Sequence, residues 1–194
     1  EHCSQGSDCP LWPFADASAT EWYHDGVHFC LENGLMGGCG NGEFGPNAPL
    51  SRAMLTQILY NSEKRPAVSG SSVFTDVADG AWYTDAIIWA SANGIVTGYP
   101  GDIYGPEDPI NREQLAVMLY RYAQYKGMAA VTLAENLTQF TDADKISGYA
   151  VQAMNWAVNT GVIGGYEDQT LRPQENATRA VVAQMLKNFF ANVK

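Results

Sequence analysis

The sequence predicts a mainly α fold: three tandem helix–loop–helix repeats in a pseudo-threefold arrangement around a central three-helix bundle. Three observations predict it. Arg52, Arg112 and Arg179 recur at spacings of 60 and 67 residues, each at the end of a loop rich in Gly and Pro. Pro46, Pro106 and Pro173 recur at those same spacings, as do Gly34, Gly94 and Gly161. Each arginine is followed by an apolar stripe: Leu55-Ile58-Leu59, Leu115-Met118-Leu119-Tyr122 and Val182-Met185-Leu186-Phe189. Self-similarity at a fixed period marks a chain made of copies of one unit. Three helices with equivalent apolar stripes bury them most economically against one another.

The chain divides into an N-terminal segment, residues 1–13, and repeats over 14–63, 74–126 and 140–193 that form one integrated module. Each repeat opens on Phe-x-Asp: Phe14-Ala15-Asp16, Phe74-Thr75-Asp76 and Phe140-Thr141-Asp142. Asp16, Asp76 and Asp142 read as turn or cap residues, because a short carboxylate bonds nearby backbone N–H groups well. An aromatic follows, Trp22, Trp82 or Tyr149, and then a first helix over about 21–33, 81–93 and 148–160. On it Val27, Ile87 and Met154 share a face with Cys30, Ala90 and Ala157 at i, i+3. Gly34, Gly94 and Gly161 fit left-handed C-caps, where glycine has no Cβ penalty.

The Gly/Pro loops then lead to a second helix. Ser51, Asn111 and Thr178 stand at its N-cap, and all three types cap well. Gln114 is placed to close a capping box with Asn111. Linkers fall at 61–73 and about 127–139; the second is more apolar and has room for a short helix.

Composition excludes several classes. The chain has 194 residues and a net charge of −10. That charge opposes nucleic acid, whose phosphates require an excess of Lys and Arg, and opposes adhesion to anionic membrane. No apolar run reaches the 18 or more residues of a membrane span. Glu1-His2-Cys3 lacks the regions of a signal peptide, so the chain reads as fused to, or excised from, a larger exported protein. Histidines occur only in the N-terminal segment and the first repeat, without Ser/His/Asp logic, and GGCGNG (37–42) lacks the Lys-Ser/Thr of a phosphate loop. No enzyme and no cofactor is expected.

All four cysteines, Cys3, Cys9, Cys30 and Cys39, lie in the first 39 residues. An even, clustered count suggests two disulfides and an exported chain. Three pairings are open; the two short loops, Cys3–Cys9 and Cys30–Cys39, are favoured. The cysteines lack standard zinc spacing, and no metal is expected.

The stretch FTDV…WYTDAIIWASANGIVTGYPGDIYGPEDPINREQ resembles the S-layer homology repeat, and the resemblance covers all three copies. It implies a module that anchors exported bacterial proteins to the cell wall without covalent bonds, outside the cell, with no membrane insertion. It implies a monomeric unit whose grooves bind anionic secondary cell-wall polysaccharide, often through a pyruvate ketal. The arginine of that family's Thr-Arg-Ala-Glu motif belongs to the binding site and corresponds to Arg52, Arg112 and Arg179. The acid of that motif is missing: Met54, Gln114 and Val181 stand in its place, and Glu113 comes one position early. Tyr99 and Tyr166 occupy the Gly-Tyr slot, where the first repeat has Cys39.

A helix N-terminus exposes N–H groups and the positive end of the macrodipole. An arginine there is badly placed for the dipole but well placed to join those N–H groups in gripping a carboxylate. Trp22, Trp82 and Tyr149 would supply an apolar wall, and Gly98 and Gly165 a close backbone approach to the ligand. The competing reading has the arginines pair with acids of a neighbouring repeat and fix the packing. The module would then serve protein–protein assembly of the surface layer.

Overall fold

The computed structural model describes residues 7–18, 20–128 and 136–193. Among them are six α-helices: α1 (His24–Glu32), α2 (Arg52–Ser62), α3 (Thr84–Ala92), α4 (Arg112–Tyr125), α5 (Val151–Asn159) and α6 (Arg179–Asn192). The described residues contain isolated backbone bridges and no longer strand. Each repeat thus supplies a short first helix and a longer second one. The described part of the second linker includes a turn of 3-10 helix, Leu137–Gln139.

The first helices start about three residues later than their periodicity suggests. The residues before them form turns, with His24 N–H donating to the Glu21 carbonyl and Thr84 N–H to Ala81. Their ends follow the glycine expectation. Gly34, Gly94 and Gly161 have φ of 64°, 70° and 69°. The N–H groups of Leu35 and Ile95 reach back to the carbonyls of Cys30 and Ala90 at 2.8 Å, closing Schellman turns. At the second helices, Ser51, Asn111 and Thr178 accept from the N–H groups of Met54, Gln114 and Val181, and Asn111 with Gln114 forms a full capping box.

Helix packing crosses repeat boundaries. α2 packs on α3, α4 on α5, and α6 on α1, so every second helix seats the first helix of the next repeat. The second helices meet through side chains: Leu55, Leu59, Leu115, Leu119, Val182 and Leu186 are fully buried. Near their C-terminal ends the Ser62 and Tyr122 hydroxyls are hydrogen-bonded at 3.0 Å, and the Tyr122 and Phe189 rings lie 5.6 Å apart.

The loops close the same cycle. Ile110 N–H donates to the Leu50 carbonyl (2.9 Å), Leu50 N–H to Ala177 (3.1 Å), and Ala177 N–H to Ile110 (2.8 Å). The first turn of each second helix joins in. Arg52 and Ala53 donate to Asp108 and Pro106; Arg112 and Glu113 to Glu175 and Pro173; Arg179 and Ala180 to Ala48 and Pro46. Each repeat makes these bonds with the next, and the third makes them with the first.

That arrangement corrects one expectation. The N–H groups of the second helices are not available to an anion, because the neighbouring loop's carbonyls and the cap side chains take them.

The aspartates fix the loops from within. Asp16 accepts from Phe44 and Gly45, Asp76 from Tyr104 and Gly105, and Asp142 from Leu171 and Arg172, all six N–H groups at 2.7–2.8 Å. The phenylalanine two residues earlier packs under the loop. A Cβ on Gly98 or Gly165 would collide with the ring of Phe74 or Phe140. The close approach these glycines allow is to that ring, and Gly98 and Gly165 also line the grooves described below.

The Cys30–Cys39 disulfide is not formed. Cys30 is buried against α6, its thiol donating to the Ala183 carbonyl at 3.7 Å, while Cys39 is exposed and faces the Phe44 carbonyl at 3.2 Å. Cys3 lies outside the described residues, and with it the other expected pair.

Candidate grooves between the repeats

Each of the three arginines crosses to the next repeat. The Nε of Arg52, Arg112 and Arg179 donates to the carbonyl of Tyr104, Leu171 and Phe44 at 2.8–2.9 Å. All three guanidinium groups are largely buried over aromatic rings: Arg52 over Tyr99 and Tyr104, Arg112 over Tyr166, and Arg179 over Phe44, at 4.5–4.9 Å. Their partners are carbonyls and rings, a favourable cation–π setting. None forms an ion pair with a carboxylate among the described residues.

The three differ in what remains unbonded. Arg112 also donates from Nη2 to Gly164 at 3.1 Å, and Arg179 from Nη2 to Gly37. Arg52 stands where Thr97 replaces those glycines, and its terminal nitrogens make no hydrogen bond to the described residues.

A small groove of about 290 Å³ opens beside Arg52. Its floor is the loop Val96–Pro100 with Tyr99, one wall is α4 with Gln114, Met118 and Arg121, and the other wall is Tyr149. All three repeats contribute to it. Arg121 donates to the Thr97 hydroxyl at 3.1 Å, and partial burial lowers its pKa. No Asp or Glu lines this groove. Tyr149 is held in place by Glu113, which is itself buried and also accepts from Ser147 N–H. The glutamate that comes one position early faces the third repeat and fixes the groove wall. Burial, and then the hydrogen bond to Glu113, push the Tyr149 hydroxyl up to about 12.

A large groove of about 750 Å³ lies at the matching place in the third repeat, between the loop 162–172, α6, Arg112 and Trp22 of the first repeat. Glu167, Asp168 and Arg172 line it as well. Arg172 lies over Tyr166 at 3.8 Å and is paired with Asp168 (3.0 Å) and Glu175 (3.6 Å). At the third position Cys39 replaces the tyrosine, so Arg179 stacks on Phe44 alone. Trp82 is exposed and lines neither groove.

Sequence reasoning missed Arg121 and Arg172. Arg121 was readable from helical spacing, since Gln114, Met118 and Arg121 at i, i+4, i+7 share one face of α4. Arg172 was readable as an exception: it aligns with Gly45 and Gly105, which have φ of 71° and 68°, and it keeps φ at 50°. A side chain in that region is uncommon, and here it points a cation along the groove.

The chain is similar in sequence to known proteins. The family model described as S-layer homology domain matches residues 13–53, 73–116 and 139–180. The Surface-layer 125 kDa protein of Lysinibacillus sphaericus is 30% identical over 172 residues, 87% of this chain and 14% of that protein. An Amylopullulanase of Thermoanaerobacterium thermosulfurigenes is 29% identical over 171 residues, 85% of this chain and 9% of that protein. The Cellulosome-anchoring protein of Acetivibrio thermocellus is 27% identical over 160 residues, 80% of this chain and 34% of that protein. The chain therefore spans about a third or less of the length of these relatives.

Proposed function

The chain belongs to the S-layer homology domain family, and from that premise we propose that it is a non-catalytic cell-wall anchor whose small groove holds an anionic group of the secondary wall polysaccharide. Relatives whose names place them in a surface layer or a cellulosome anchor support a cell-surface location. No helix among the described residues is long and apolar enough to cross a membrane.

One observation carries the choice of groove. The small groove presents two guanidinium groups, Arg52 and Arg121, with no carboxylate among its lining residues. In a protein of net charge −10 this is a local exception. Arg52 offers both terminal nitrogens for a bidentate bond to a carboxylate, the strongest geometry available to arginine. Gln114 adds an amide, and Tyr149, Met118 and Val96 form a wall suited to the methyl group of a pyruvate ketal.

Arg112 and Arg179 favour the structural reading, because their Nε and Nη2 atoms both bind carbonyls of the next repeat. We assign binding to Arg52 and inter-repeat bracing to the other two. These relatives are longer proteins, and we propose that this module likewise works as part of a longer exported protein.

Calorimetry with a pyruvylated wall-polysaccharide fragment and its depyruvylated twin tests this. The ketal should raise affinity in the parent protein and in Arg179→Ala, and the increment should vanish in Arg52→Ala and Arg121→Ala. A ketal increment that survives loss of both Arg52 and Arg121 would overturn the assignment.

A further inference from the structure

The apolar stripe of α2 stops one turn short. Leu55, Ile58 and Leu59 have counterparts in α4 and α6, but where those helices next carry Tyr122 and Phe189, α2 carries Ser62. α2 also ends there, with 11 residues against 14 in α4 and 14 in α6. Tyr122 and Phe189 are buried, with their rings 5.6 Å apart. Ser62 places only a hydroxyl at the matching site, bonded to the Leu59 carbonyl and the Tyr122 hydroxyl.

A cavity of about 490 Å³ opens beside that serine, and it shares no lining residue with the grooves at Arg52 and Arg112. The last turns of α1 and α6 form its apolar side, with the rings of Phe29 and Phe190 6.0 Å apart, and Leu35 continues that surface. Phe29 and Phe190 pack on the core but remain only partly buried. Ligand pockets run to about 300–1,000 Å³, so the cavity has room for an aromatic ring such as the other two repeats supply from within.

The rim carries charge of one sign. Lys64 lines the cavity and no Asp or Glu does. Lys64 forms no ion pair among the described residues, and the neighbouring Glu63 is bonded to Tyr122 and Lys126. Lys64 and Arg65 keep φ of 61° and 53°, where α4 is followed by a glycine, Gly127, at 72°. Two successive side chains in that region are uncommon, and here they turn the chain out of α2 with cations at the exit. In a protein of net charge −10, a cationic rim selects an acidic partner.

We infer that this cavity docks an acidic peptide segment of a partner protein, whose aromatic side chain enters against Phe29 and Phe190 as the ring that α2 lacks and whose carboxylate meets Lys64. Aromatic anchors seated in such pockets carry much of the energy of a protein contact. The test uses no glycan, so its outcome is separate from that of the wall-anchor reading.

The probes are acetyl-Asp-Trp-Glu-amide, its basic counterpart acetyl-Lys-Trp-Lys-amide and its ringless counterpart acetyl-Asp-Ala-Glu-amide, titrated into isotope-labelled protein and followed by backbone amide NMR. The acidic Trp peptide should shift the amides of Gly34, Leu35, Ser62 and Phe190 saturably, about tenfold more tightly than either counterpart. Ser62→Phe supplies the missing ring from within and should abolish the response. That variant also removes the bond to Tyr122, so Lys64→Gln, an exposed change, gives a second reading: it should erase the preference for the acidic over the basic peptide. The inference is overturned if the acidic peptide leaves those four amides unmoved, or shifts Gly98 and Gly165 in their place. It is equally overturned if a folded Ser62→Phe binds as the parent does, or if the acidic preference survives Lys64→Gln.

Discussion

The buried carboxylate of Glu113, in the second repeat, accepts a hydrogen bond from the Tyr149 hydroxyl of the third repeat at 3.0 Å. The same carboxylate accepts from Ser147 N–H at 3.0 Å, so one side chain positions the start of the third repeat's first helix. Replacing it by Ala removes the acceptor from both donors, at about 1–3 kcal/mol for a buried group left unsatisfied. Glu113→Ala should lose that much stability in urea unfolding. It should also bring one tyrosine, held at about 12 in the parent protein, down toward the ordinary value in a spectrophotometric titration. An unmoved titration curve would show that burial alone raises Tyr149.

Removing the arginines should separate their roles. Arg112→Ala deletes two bonds from a charged donor to carbonyls, each worth about 1.5–3 kcal/mol, and should destabilise by about 3 kcal/mol or more. Arg52→Ala deletes one such bond and should cost roughly half as much. Urea midpoints of the two variants decide it. Equal losses would mean that the terminal nitrogens of Arg112 contribute nothing to holding the repeats together.

Much of this fold was legible in the sequence, and the reason is repetition. Phe74, Asp76, Gly94 and Arg112 each have counterparts in the other copies, so local signals were read three times. The glycine ends and the N-caps follow from conformational preference within a few residues, which sequence carries directly. Contacts between copies were less accessible. Nothing in the order of residues says that Pro106 and Asp108 will take the N–H groups at the start of α2, or that Gly98 makes room for Phe74. The site was half-readable for the same reason: the arginines recur, but their inequality depends on Thr97 against Gly164 in another repeat. Cys30 and Cys39 are close in sequence, yet they face different neighbours, one toward α6 and one toward solvent.

Thiol chemistry should show that separation. Burial raises the Cys30 thiol to about 12, which suppresses the reactive thiolate, whereas Cys39 is exposed. Under native conditions a disulfide reagent should modify Cys39 quickly and Cys30 only on unfolding, as read by mass spectrometry of peptides. Protection of both until reduction would restore the disulfide between them.

The contact between α2 and α4 should be acid-sensitive. Burial raises the Glu63 carboxyl, but hydrogen bonds from Tyr122 and Lys126 more than reverse this and leave it below its ordinary value. A group with a depressed folded value stabilises above its unfolded pKa, about 4.3 for Glu, and loses that contribution as pH falls through the folded value. Glu63→Gln should therefore lower Tm at pH 7 and flatten its decline below about pH 4.3. Asp25 is also lowered, by its bond to Lys187 first and by His24, so some acid sensitivity should persist. An undiminished slope in Glu63→Gln would assign the acid loss to other carboxylates.

Gly26 sets two effects of opposite sign against each other. It lies inside α1, where replacement by Ala in an open helix gains about 0.5–1 kcal/mol. Here α1 rests against α6 so closely that a Cβ would lie 2.6 Å from Gln184 Cα and 2.7 Å from its N. Those atoms are backbone and cannot rotate away, and overpacking of this kind costs about 1–3 kcal/mol. The clash should win, with Gly26→Ala losing about 1–2 kcal/mol net, or about 2–8 °C in Tm for a chain of this size. The aligned residue Ala86 is buried where α3 meets α2. There Ala86→Gly should also destabilise, by at least the helix-propensity difference of about 1 kcal/mol. The pair tests the packing asymmetry, since one interface has room for a methyl group and the other does not. A rise in Tm for Gly26→Ala would mean that α1 stands further from α6 than these distances say, and that helix propensity governs the site.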